Sequence, residues 1–211
     1  GDHRDLHSFP TRRSSDLRNN LFSSSQHGFR KMRSCLTNLI TFTNEATKSL
    51  DANIPMDVVY FDMAKAFDKV SHPLLLQKLH SMGLRGRLFS WIRYWLCKRS
   101  QKVILNGKMS VSKEVSSSVI QGSVLGPVLF LIFVDNLNHD LGSTSLLFAD
   151  DCKIFRKIES DEDIKLLQQD INKLNKWSIK WKLPFNASKC KVLHLGKNNS
   201  KAIYKLGNTI L

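Results

Sequence analysis

The residues best equipped for chemistry are three aspartates at two places in the chain. Asp150 and Asp151 are adjacent and lie between two short apolar runs, Leu146-Leu147-Phe148 and Cys152-Lys153-Ile154-Phe155. Each run has strand length and is rich in Leu, Ile and Phe. The pattern predicts a β-hairpin with Asp150-Asp151 in its tight turn. Taken alone, an Asp-Asp pair is better explained as turn chemistry than as a site. A third carboxylate changes the balance. Asp62 closes the run Val58-Val59-Tyr60-Phe61, at a strand end where a polar side chain emerges from a sheet. If that strand pairs beside Leu146–Phe148, the three carboxylates converge. Uncompensated, they repel and one must bind a proton. With divalent cations they form a hard, oxygen-only site suited to Mg²⁺. Two such ions about 3.5–4 Å apart can activate an attacking hydroxyl and stabilise a leaving pyrophosphate.

Charge points to a matching substrate. The 211 residues carry 32 Lys and Arg against 18 Asp and Glu, a formal net charge of +14, and the sequence pI is near 9.8. An excess this large suits a polyanion, nucleic acid above all. A basic surface without a specific partner is the plainer alternative. Hydrophobic residues make up 42% of the chain, enough for one core. Cys35, Cys97, Cys152 and Cys190 are far apart in sequence, so no zinc-type pair exists. They predict reduced, mostly buried thiols in an intracellular protein; activity is expected in the nucleus, with the cytoplasm as the alternative. The longest apolar run, Val124 to Val134, contains Gly126 and Pro127 and is too short to span a bilayer, so no membrane partner is expected.

The elements that must position the aspartates follow from periodicity and turn residues. Residues 1–17 stand apart. His7-Ser8-Phe9-Pro10-Thr11-Arg12-Arg13-Ser14-Ser15-Asp16-Leu17 reads like the translation of a common sequencing adapter, an adapter-derived or assembly scar that should be disordered. Residues 18–33 are polar and predict a loop. Ser34 can cap a helix to about Leu50 with Leu36, Leu39, Ile40 and Ala46 as its apolar stripe. Met56 to Phe61 predicts a central strand. Pro73 and Gly83 bracket a second helix, and a third runs from about Gly86 to Cys97. Asn106-Gly107 marks a hairpin between Gln101–Leu105 and Ser110–Ser116. A buried helix follows from near Pro127 to Leu141, then the aspartate hairpin, then an amphipathic helix from Ser160 to about Lys182. Strand-like segments at Lys191–Leu195 and Ala202–Leu206 end the chain, with Gly207-Asn208 as a turn. The fold class is α+β, an antiparallel sheet with helices on one face.

Three stretches in this order are distinctive: Val58-Val59-Tyr60-Phe61-Asp62-Met63-Ala64-Lys65-Ala66-Phe67-Asp68, Gln121-Gly122-Ser123-Val124-Leu125-Gly126-Pro127 and Phe148-Ala149-Asp150-Asp151. They resemble the three core motifs of reverse transcriptases, most closely those of non-LTR (LINE-like) retrotransposons. Gln26-His27-Gly28-Phe29-Arg30 and Asn186-Ala187-Ser188-Lys189-Cys190 resemble flanking motifs of the same family. The resemblance runs from about Leu21 to the C-terminus. It implies a right-hand polymerase palm with part of the fingers, and RNA-directed addition of dNTPs to a DNA primer on an RNA template.

The resemblance also implies roles. Asp62, Asp150 and Asp151 match the catalytic carboxylates that bind two Mg²⁺ ions, with Mn²⁺ as a substitute, and the Met63 carbonyl assists them. Asp151 is the one expected to be partly dispensable. Phe67 matches a steric gate against the ribose 2′-OH, with simple core packing as the lesser alternative. Gln121-Gly122 resembles a loop over the incoming nucleotide, the glycine allowing close backbone approach. Gly126-Pro127 shapes the helix start. Arg30 matches an arginine that neutralises triphosphate, and Lys189 a general acid for pyrophosphate. Asp68 is expected to cap the next turn. His72 and His194 lack a partner motif. The family's remaining fingers, thumb, endonuclease domain and Cys/His knuckle have no counterpart, so the chain is expected to be a piece of a larger polyprotein. A degenerate, non-catalytic nucleic-acid-binding remnant is the alternative. A palm-type nucleotide cyclase is weaker, because it leaves Phe67 and Gln121-Gly122-Ser123 without a role.

Overall fold

Ser34 opens the first helix by a reciprocal cap. Its hydroxyl accepts from the Thr37 amide, and the Thr37 hydroxyl accepts from the Ser34 amide. The computed structural model describes residues 22–211; the segment expected to be a scar lies outside the described residues. In chain order it contains α1 (Cys35–Asp51), β1 (Met56–Phe61), α2 (His72–Ser81), α3 (Gly86–Cys97), then the short strands β2 (Ser100–Gln101), β3 (Ile104–Leu105), β4 (Lys108–Met109) and β5 (Lys113–Glu114). There follow α4 (Leu125–Val134), β6 (Thr144–Phe148), β7 (Asp151–Lys157), α5 (Asp161–Lys180), β8 (Lys191–Leu195), β9 (Lys205–Leu206) and β10 (Thr209–Ile210).

The main sheet is antiparallel throughout, in the order β6-β7-β1-β8. β1 is central, as its near-continuous apolar run requires. Its neighbour is β7, however, and not the Leu146–Phe148 strand expected beside it. Alternate residues of β7 are buried on both faces: Cys152 and Ile154 on one, Phe155 on the other. β7 is therefore the strand of the hairpin suited to the interior position.

Side-chain alternation splits the sheet into two surfaces. Val59, Phe61, Leu147, Cys152 and Ile154 face the main core, which α2 to α5 close with Leu75, Leu79, Ile92, Leu96, Phe130, Leu167 and Ile171. Met56, Val58, Leu146 and Phe155 face the other way and meet Phe42 and Ala46 of α1. The main helical layer thus lies on one face, and α1 adds a smaller cover on the opposite one.

Of the stripe expected on α1, only Ala46 packs. Leu36, Leu39 and Ile40 are exposed, while Asn38, Ala46 and Ser49 are buried. The helix is oriented by Asn38, whose amide donates to the Leu147 carbonyl at 3.1 Å, and by the Phe42 ring against Phe155 at 5.5 Å. Satisfying a buried carbonyl fixes a rotation that hydrophobic periodicity alone does not reveal. α4 also ends earlier than expected, at Val134. Just beyond it, Asp135 accepts from the Ser23 amide, and Asn136 accepts from Lys78 and Trp177. The Asn106-Gly107 hairpin forms with both residues at positive φ (49° and 75°), but as two short ladders, β3–β4 and β2–β5.

At the end of β1 opposite Asp62, Asp57 is fully buried. It accepts from Tyr204 Oη at 2.6 Å, His194 Nδ1 at 2.7 Å and Asn199 Nδ2 at 2.7 Å. These bonds tie β8 and the segment after it to the central strand. Burial, and then the Asp57 contact, push the Tyr204 hydroxyl up and keep it a donor. Tyr204→Phe should leave Asp57 Oδ2 short of a donor and lower stability by about 1–3 kcal/mol, read as a drop in the urea midpoint with an unchanged m-value.

Candidate active site

Phe61 sits opposite Cys152 in the β1–β7 ladder, so the next residues outward, Asp62 and Asp151, are neighbours across the same strand pair. Phe148 pairs with Asp151. The hairpin loop is therefore Ala149-Asp150, with Asp151 as the first residue of β7 and not a turn residue. All three carboxylates stand at one end of the sheet. Desolvation there, and then the like charges of Asp150 and Asp62, raise the Asp151 carboxyl above its ordinary value, while Lys153 opposes them. Among the described residues, no three His, Cys, Asp or Glu side chains are drawn together as a finished ion site. The donor set nevertheless fits a hard divalent ion: it is all oxygen, and its own carboxylates repel one another.

Met63 is buried, so only its backbone is available. It bridges Phe185 through flanking groups: Ala64 N donates to Pro184 O at 3.0 Å, and Asn186 N to Asp62 O at 2.7 Å. In such a pair the Met63 amide and carbonyl point away from Phe185. The same turn places Lys189, whose Nζ lies 3.9 Å from Asp62 Oδ2. Lys189 is thus set beside Asp62.

Phe67 is half-buried. Its ring stacks on Phe130 of α4 at 4.5 Å and meets the Phe29 ring edge-on at 6.3 Å. Packing and gating are compatible here, because the packing fixes the ring. Gln121 and Gly122 are exposed. Gln121 Nε2 donates to Asp68 Oδ1 at 3.1 Å, so Asp68 holds this loop instead of capping the next turn. Gly122 needs glycine for its φ of 77°, with open space around it. Gly126 packs under the loop, where a Cβ would lie 2.5 Å from the Ile120 carbonyl.

Arg30 is bonded within its own segment. Its Nη1 donates to Ser23 O at 2.7 Å and to Gln26 O at 3.4 Å, and the guanidinium lies over Phe22. It braces its own loop. His72 and His194 also have structural partners, the Ser118 carbonyl and Asp57. The residue that motif spacing missed is Gln26. It is buried, and its amide bonds to Ala149. A glutamine two residues before a glycine was the available signal, with nothing in the sequence to say what it touches.

The family model described as reverse transcriptase (RNA-dependent DNA polymerase) matches residues 2–210. This chain belongs to the reverse transcriptase family. It is 32% identical over 174 residues to the RNA-directed DNA polymerase from mobile element jockey of Drosophila funebris, covering 78% of this chain and 19% of that protein. It is 26% identical over 170 residues to the probable RNA-directed DNA polymerase from transposon X-element of Drosophila melanogaster, with the same shares covered. The chain therefore spans about a fifth of the length of these relatives. Among solved structures, apo telomerase from Candida tropicalis truncated from its C-terminal domain superposes with a TM-score of 0.60 at 16% identity, over 93% of this chain and 42% of that one. Candida tropicalis telomerase with a fragment of telomeric RNA gives 0.64 at 12% identity, over 93% and 34%. The fold is an α+β polymerase palm. Reverse transcriptases generally use divalent metal ions.

The raised Asp151 carboxyl carries a stability prediction. A carboxyl whose folded value lies above its unfolded value favours folding below the unfolded value, about pH 3.9, and loses that contribution as pH rises through the folded value. Asp151→Asn should therefore raise the urea midpoint at about pH 7, and the gain should shrink on acidification toward about pH 3.9. Urea titrations of both proteins across that range check it.

Proposed function

We propose that this chain is the catalytic palm of an RNA-directed DNA polymerase, adding dNTPs to a primer 3′-hydroxyl on an RNA template. The observation that carries the proposal is the placement of Asp62 beside Asp151 across β1 and β7, with Asp150 in the adjoining loop. Asp62, Asp150, Asp151 and the Met63 carbonyl would hold Mg²⁺, or Mn²⁺ in its place. A bound pair of such ions supplies charge stabilisation for the attacking and leaving oxygens.

The chain's own residues do the rest. Phe67, held between Phe130 and Phe29, offers a rigid apolar surface that a 2′-hydroxyl would meet without a hydrogen-bond partner. Gln121-Gly122 presents an exposed turn fastened through Asp68 to the segment that carries Phe67. Lys189, whose Nζ lies 3.9 Å from Asp62 Oδ2, would give a proton to departing pyrophosphate. The sheet face that bears Asp62 and Asp151 also bears Tyr60, Lys153 and Lys191, which pair across β7, β1 and β8. α1 covers part of that face, with its Phe42 ring under Lys153, and the remainder toward Lys191 is suited to primer and template backbone. The telomerase solved with an RNA fragment shares this fold, which supports an RNA partner. Four free cysteines and a polyanionic partner support an intracellular setting, nucleus or cytoplasm. No observation favours the non-catalytic remnant.

The test is Mg²⁺-dependent extension of a DNA primer on an RNA template. Asp150→Asn should reduce extension by at least about a hundredfold; equal extension by wild type and variant would overturn the proposal. Phe67→Ala should raise the use of ribonucleotides relative to dNTPs by about 10–200-fold, measured as a ratio of kcat/KM values.

A further inference from the structure

The loop that carries Asp150 has an unusual backbone. Because Phe148 pairs with Asp151, the loop has two residues, Ala149 and Asp150. Ala149, the first, has φ of 56°, a value rarely adopted by residues with a Cβ. A positive φ at the first position alone is the type II′ pattern, which takes glycine there. Alanine in that place needs outside support.

We propose that Gln26 is a positioning residue, whose buried side-chain amide holds the Ala149-Asp150 loop in the conformation that presents the aspartate pair. Gln26 is 4% exposed. Its Oε1 accepts from the Ala149 amide at 2.9 Å, and its Nε2 donates to the Ala149 carbonyl at 3.3 Å. Both polar backbone groups of the strained residue are therefore held by one rigid planar amide. The same Oε1 accepts from the Gly28 amide at 2.8 Å, which fixes the Gln26 rotamer.

The carrier of the clamp is anchored independently. His27 N donates to Leu147 O at 2.8 Å, and Leu147 N donates to Ser25 O at 2.9 Å. Arg30 donates to the Gln26 carbonyl, and the Ser23 amide donates to Asp135 beyond α4. Gly28 lies so close that a Cβ there would stand 2.3 Å from the Ala149 nitrogen. Its lack of a side chain lets the two backbones meet. The same motif thus serves three ends: Gln26 grips the loop, Gly28 admits it, and Arg30 ties the grip down.

The catalytic consequence rests on the polymerase function proposed above, while the clamp itself does not. The test compares wild type with Gln26→Leu, Gln26→Glu and Gly28→Ala in the full chain, by residue-resolved amide exchange and by primer extension. Gln26→Leu should speed exchange at the Ala149 amide by at least about tenfold and leave the Leu147 amide, bonded to Ser25, protected. It should lower kcat by at least about tenfold with the dNTP KM within about twofold. Gln26→Glu keeps the accepting oxygen and should recover most of the Ala149 protection. Gly28→Ala, with Gln26 intact, should disturb Ala149 by crowding. Unchanged exchange at Ala149 in Gln26→Leu would overturn the clamp. So would loss of protection at Leu147 and Ala149 together, since that describes docking of the whole segment. A wild type that extends no primer counts against the polymerase function, and the exchange comparison still decides the clamp.

Discussion

Like charges do not gather at one end of a sheet unless something stronger puts them there. Two carboxylates a few ångströms apart near a surface repel by about 1–4 kcal/mol. The opposing force is the burial of β1 and β7. Val58, Val59, Ile154 and Phe155 are almost wholly removed from water, and each such side chain contributes about 1.5–3 kcal/mol. The register that buries them is also the register that sets Asp62 beside Asp151. A slip of one residue would exchange the contents of the two faces, moving Val59 and Ile154 from the main core to the side that α1 covers. The hydrophobic pairing therefore decides where the charges sit, and burial first, then the like charges of Asp150 and Asp62, raise the Asp151 carboxyl.

The rest of the molecule stiffens that arrangement from three directions. Below, α4 and α5 fill the main core with side chains such as Phe130, Phe133, Ile171 and Leu174. At the far end of β1, Asp57 gathers three donors and fastens β8. At the near end, Asn186 binds the Asp62 carbonyl, and the Gln26 segment grips the adjoining loop. The site is thus an edge feature of a rigid plate, and its reactive groups come from strand ends and tight turns whose backbones are held by hydrogen bonds.

Much of this was legible in the residues themselves. The central strand at Met56–Phe61, the capped helix after Ser34, the Asn106-Gly107 turn and the aspartate hairpin all carry local signals: an apolar run, a hydroxyl cap, a turn dipeptide, a change of period. What failed did so where a distant partner overrode the local pattern. Leu36, Leu39 and Ile40 make a proper amphipathic stripe, yet Asn38 rotates the helix away from it to satisfy Leu147. Asp68 has the chemistry of a cap and is used to hold Gln121 instead.

The sequence by itself determined the elements, the identity of the three carboxylates and the family to which they belong, because these depend on residue type and short spacing. Only the tertiary structure decided that β7 and not β6 lies beside β1, that Asp151 begins a strand while Ala149 bears the strain of the loop, and that Gln26 reaches across 123 residues of sequence to relieve it. Those outcomes depend on which polar groups are left without partners once the core has closed. No local pattern records that, because the partners are chosen by packing and not by spacing.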